Sequence, residues 1–141
     1  MDYRSLITRK YCESFSDPRN KLNFFNPIES RLLKELEMWL GKTLPKDLRE
    51  FYLQSDGAHD DWFCFNILST SKLFEHNKSL REGAFEFNTN LNEALVFSLA
   101  DGDYYFYQSI KEGWGEIYIW NAIDDDRSWV ANTLEAWIVR S

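Results

Sequence analysis

The chain has 141 residues, of which 44% are apolar, and it carries a net charge of −7 with a pI near 4.8. That length fits one domain able to build its own core. The acidic balance argues against direct binding to nucleic acid or anionic lipid, which needs a basic surface, and no stretch approaches the ~20 apolar residues of a membrane span.

The charge is uneven. Residues 1–27 hold five basic and three acidic side chains, leaving −9 on the rest. Residues 2–14 show weak helical periodicity. Residues 16–27 are rich in turn formers (Asp17-Pro18, Asn20, Asn23, Asn26-Pro27) and read as a loop. Asn26 and Pro27 suit a helix start. Ile28, Leu32, Leu33, Leu36, Trp39 and Leu40 then recur at helical spacing, and Gly41 closes the helix. A second helix runs from Pro45, with Leu48, Phe51 and Tyr52 on one face, and ends at Ser55-Asp56-Gly57.

Trp62–Leu68 reads as a strand and Ser69–Glu82 as a helix. Ala94–Leu99, Tyr104–Tyr107 and Glu116–Trp120 read as three further strands, with a turn at Asp101-Gly102-Asp103 and Gly113 and Gly115 in an irregular connection. Ala122–Asp126 is an acidic turn. Arg127–Val139 repeats apolar pairs near a 3.6 period and reads as a closing helix. Consecutive strands joined by tight turns, with helices segregated from them, define an α+β fold: a single domain with a mainly antiparallel sheet flanked by helices.

Catalytic spacing is missing. His59 and His76 are the only histidines, and neither an H-x-x-x-H nor a C-x-x-C pattern supplies the three or four ligands of a metal site. Asp101-Gly102-Asp103 does not fit a calcium loop. No Ser lies in a G-x-S-x-G elbow, and the six glycines form no phosphate cradle. His59 is read as part of an exposed loop. Cys12 and Cys64 form neither a disulfide framework nor a zinc spacing, and two reduced thiols fit a cytoplasmic protein. No secretory h-region is visible after Met1. The expectation is a protein without cofactor or metal, and not an enzyme.

Leu44-Pro45-Lys46-Asp47-Leu48-Arg49-Glu50-Phe51-Tyr52, followed by Ser55-Asp56-Gly57, resembles the signature of the SUKH superfamily, which takes in fungal cell-wall assembly regulators and bacterial immunity proteins. Asp101-Gly102-Asp103-Tyr104-Tyr105 resembles its Gly-Asp-x-aromatic strand opening. Gly115-Glu116-Ile117-Tyr118-Ile119-Trp120 resembles its Gly-x-Val/Ile-Tyr-x-Trp strand, and Asp124–Trp137 its acidic turn and closing helix. Asp56 stands where that family usually has Asn. The resemblance covers about residues 28–138, so it divides the chain into an N-terminal extension, 1–27, helical or irregular, and a SUKH-like domain, 28–141.

The resemblance implies a non-catalytic binding domain. It points first to an immunity protein that neutralises a cognate protein toxin of a polymorphic or contact-dependent system, often a nuclease. A nuclease is commonly basic because it grips phosphates. The alternative is a regulatory adaptor like the fungal relatives; an enzyme is the third possibility and needs a cleft of perturbed titratable groups. The expected partner contacts are the loops and acidic turns: Asp56, Asp60, Asp61, Trp62, Asp101, Asp103, Trp114, Asp124, Asp125 and Asp126. Tyr118 and Trp120 share one face of a strand and Ile117 and Ile119 the other, so that strand is expected to be covered on both sides.

Overall fold

A computed structural model describes residues 1–14, 17–83, 87–111 and 115–140. In chain order the described elements are α1 (Tyr3–Ser14), β1 (Leu22–Phe24), α2 (Ser30–Leu40), α3 (Lys46–Tyr52), β2 (Ala58–Asp60), β3 (Asn66–Ile67), α4 (Thr70–Glu82), β4 (Ala94–Leu99), β5 (Tyr104–Ser109), β6 (Ile117–Asn121), β7 (Asp126–Ala131) and α5 (Leu134–Arg140). All strand pairs are antiparallel, in a three-stranded sheet β1-β2-β3 and a four-stranded sheet β4-β5-β6-β7. The α+β expectation holds.

The larger sheet is covered on both faces, as the alternation along β6 requires. Ile117 lies in the main core with Leu95, Phe97 and Trp137, whereas Trp120 and Tyr118 enter a second cluster with Val96 and Tyr107. The N-terminal extension belongs to the main core. Tyr3, Ile7 and Tyr11, spaced one helical turn apart, are buried on α1, which packs on α5. Tyr11 lies 4.6 Å from the Phe65 ring and Tyr3 meets the edge of Phe51.

Two buried amides join the layers. Asn66 Nδ2 donates to the Leu99 carbonyl and its Oδ1 accepts the Leu99 N–H, both at 2.8 Å. Asn77 of α4 does the same for Val96, donating at 2.8 Å and accepting at 2.9 Å. Between them the Leu68 N–H reaches the Phe97 carbonyl at 2.8 Å. The outer edge of β4 is thus occupied, which satisfies its backbone and blunts it against foreign strands.

Five readings change. Asp126–Ala131 is a strand, and the closing helix is only Leu134–Arg140. The apolar pair Trp129/Val130 fits both periods, and pairing with β6 decides it, because β6 would otherwise lose its backbone partners on that side. Only Asn66–Ile67 of the strand read at 62–68 pairs, and residues 61–64 turn. The loop read at 16–27 contains β1, and His59 lies in β2 rather than in a loop; Asn23 fits a strand because its amide donates across to the His59 carbonyl and the Asp61 carboxylate. Finally, α2 starts at Ser30 with Glu29 at its cap, not at Asn26. The segment before it is held extended, the Asn26 carbonyl taking the Asp56 N–H and the Ile28 N–H reaching the Tyr52 carbonyl, each at 3.0 Å.

Candidate protein-binding site

The antiparallel order of the large sheet brings two acidic turns to one end. The β4–β5 turn and the β6–β7 turn are neighbours, joined by the Ala122 N–H donating to the Asp103 carbonyl at 3.0 Å. Asp101, Asp103, Asp124 and Asp126 are all exposed there. Their charges add to a local negative potential. The one arginine of β7, Arg127, is turned to Tyr107 Oη and lies over the Tyr118 ring.

Asp125 differs from its neighbours. It sits in the left-handed region at φ 54° and is half-buried. Its carboxylate accepts from Trp120 Nε1 and Thr89 Oγ1, both at 2.8 Å, and from the Asn88 and Thr89 N–H groups. Partial desolvation pushes its pKa up, but those hydrogen bonds outweigh it and hold the carboxyl below its ordinary range.

Beside this end, where the two sheets meet, opens a groove of about 1120 Å³. Leu99, Phe106 and Trp137 give it apolar walls, and Asp56 and Asp101 line it. An aromatic row stands at its β2 side. Phe25 lies 5.4 Å from His59, and His59 stacks on Phe63 at 4.3 Å with 17° between planes. Phe63 is 61% exposed and Trp62 53%. Phe63 also has φ 55°, a conformation that costs a bulky residue about 1–3 kcal/mol. Burial does not repay that cost, since the ring faces solvent.

The structure divides the residues expected at the interface. Asp101, Asp103, Asp124 and Asp126 form the acidic end, and Asp56 and Trp62 lie at or near the groove. Asp56 also accepts the Thr70 N–H at 2.8 Å at the start of α4. Asp61 is exposed, and hydrogen bonds from the Asn23 amide and the Lys21 N–H lower its pKa. Asp60 is a correction. It is 1% exposed, and its carboxylate accepts the Phe65 N–H at 2.7 Å and the Asn20 amide at 2.8 Å, so it serves the interior. Asp125 is chiefly a turn anchor. Trp114 lies outside the described residues. Phe25, His59 and Phe63 were missed; their only sequence signal is the Trp62-Phe63 pair following Asp60-Asp61. Cys64, read within an apolar run, is exposed and free.

Among the described residues no three His, Cys, Asp or Glu side chains converge on a metal position. No helix among them is long and apolar enough to cross a membrane.

The acidic residue of the Leu-Pro signature has a structural task. Asp47 Oδ2 accepts the Leu134 N–H at 2.8 Å and Oδ1 accepts Gln108 Nε2 at 2.9 Å, so it ties α3 to β5 and to the start of α5. Gly57 is equally fixed: its φ is +95°, and a Cβ there would meet Ser69 N at 2.9 Å.

A helix pair, a glycine-closed turn, four antiparallel strands and a closing helix locked by the signature acid define an α+β domain of the SUKH type. The chain belongs to the SMI1 / KNR4 family (SUKH-1), whose profile matches residues 27–140. That family includes immunity proteins and fungal regulators. A comparison with curated proteins gave no match. The profile leaves out α1 and β1, although Tyr3, Ile7 and Tyr11 of α1 are buried in the main core.

Proposed function

We propose that this chain is a non-catalytic immunity protein that binds and neutralises a cognate, basic, nuclease-type toxin in the cytoplasm of the cell that makes both. The observation that carries the reading is the gathering of Asp101, Asp103, Asp124 and Asp126 at one exposed end of the sheet, in a chain whose family includes immunity proteins. Such a surface speeds encounter with a basic partner more than it sets final affinity. The exposed Phe63 of the adjoining groove, and Trp62 before it in the chain, are residue types suited to the apolar anchors of an interface.

The non-catalytic part of the reading is supported by the family, which includes immunity proteins and fungal regulators. Co-expression with toxins encoded beside this gene tests the reading. Rescue of growth and co-purification of one toxin are the expected results, and failure to rescue or bind any of them removes it. Co-purification of a cell-wall synthesis component instead favours the regulatory adaptor.

A further inference from the structure

We propose that the groove between the two sheets receives an arginine-bearing, otherwise apolar segment of the protein partner, with arginine side chains set against the His59–Phe63 stack and against the Asp101 carboxylate, all of which line the groove. The proposal rests on the toxin-binding reading above and names the chemistry of the contact.

Three observations point to that occupant. The first is size. At about 1120 Å³, with an exposed aromatic rim, the groove is large enough to take several side chains of a protein segment.

The second is charge. The cations that line the groove are already engaged: Lys72 Nζ pairs with Glu75 at 3.2 Å, and Arg140 donates to the Val130 carbonyl at 2.6 Å with its guanidinium over the Trp129 ring. The Asp101 carboxylate, by contrast, is exposed and has no hydrogen-bond partner among the described residues, and only one oxygen of Asp56 is occupied. Asp56 and Asp101 are thus the lining carboxylates with no cation paired to them among the described residues.

The third is the aromatic row. Phe63 holds a large ring out to solvent from a left-handed backbone that Asn or Gly adopts readily, and stacks it on His59. A planar guanidinium stacks on such rings, and it also pairs with carboxylates such as those lining the groove. An ammonium does the first less well, and an acidic side chain does neither.

Short peptides of alternating Leu–Arg, Leu–Lys and Leu–Glu, titrated into the full chain, test the inference by calorimetry and by amide shifts in NMR spectra. The Leu–Arg peptide is expected to bind about tenfold or more tighter than Leu–Glu, and tighter than Leu–Lys, with shifts at His59, Phe63 and Asp101. Phe63→Asn and Asp101→Lys should each weaken it about fivefold or more, while Phe63→Asn keeps or raises Tm. A merely structural Phe63 would lower Tm and leave binding alone. Equal binding of the Arg and Glu peptides, shifts confined to other faces, or wild-type affinity in both variants overturns the proposal. The toxin reading fails separately. A toxin neutralised equally by wild type and by both variants overturns the groove and leaves toxin binding standing. Peptide binding at the groove with no toxin neutralised supports the groove chemistry and overturns the toxin.

Discussion

The Asp125 carboxylate accepts the indole N–H of Trp120 at 2.8 Å, so the acidic turn is anchored on a tryptophan with no exposed surface. The same carboxylate holds Thr89 and the backbone of residues 88–89. Asp125→Ala leaves the buried indole N–H without its acceptor, which costs about 1–3 kcal/mol. Asp125→Asn keeps a carbonyl acceptor and should cost less. Urea unfolding of the two variants checks the order.

Acid should weaken the protein through these carboxylates. Asp61 and Asp125 have folded-state pKa values below their ordinary ones. The unfolded chain therefore binds protons first as pH falls. The stability they contribute is whole above about pH 4, and it is lost as pH drops through their lower folded values. Tm measured between neutral pH and about pH 3 should fall on acidification, with a shallower fall in Asp125→Asn.

The exposed members of the acidic end should set the rate of encounter. Asp124→Lys with Asp126→Lys, leaving Asp125 intact, should slow association with a basic partner about tenfold at low salt, and less at ionic strengths above about 0.15 M. Stopped-flow association at several salt concentrations reads this directly. An unchanged on-rate removes these two residues from the encounter surface. Reversing Asp125 as well would mix lost stability with changed charge.

Asp47 links three elements, so its removal should act at a distance. Asp47→Ala frees the Leu134 N–H at the start of α5 and the Gln108 amide, whose Oε1 already lacks a partner among the described residues. A loss of about 2 kcal/mol or more is expected. Hydrogen exchange should quicken in α5 before the rest of the chain.

At Gly57 both the backbone and the space forbid a side chain. Gly57→Ala forces a Cβ against the Ser69 N and the Ile67 carbonyl at a φ of +95°. Destabilisation of about 1–3 kcal/mol should follow, seen as a lower Tm.

Much of the helical frame is legible in the chain. The spacing of Leu33, Leu36 and Leu40 marks the buried stripe of α2, and Gly41 ends it at φ 73°. Tyr118 and Trp120 on one face of β6, with Ile117 on the other, declare a strand covered on both sides. These are local periodicities, and one element is long enough to express them. The three-residue strands β1 and β2 are too short to do so, and β7 carries a pair of apolar residues that suits either period.

The site follows the same division. Sequence alone determined that the chain is acidic, that it carries no catalytic or metal spacing, and that its ordered motifs match the SUKH family. Those properties depend on composition and on residues near each other in the chain. Tertiary structure decided which carboxylates face solvent. Asp60 and Asp61 are neighbours in sequence, yet strand pairing turns one into the core and the other to solvent. Asp103 and Asp124 lie far apart in sequence, yet the antiparallel order sets their turns side by side. The facing of a side chain depends on pairing partners, and partners are chosen by the whole fold.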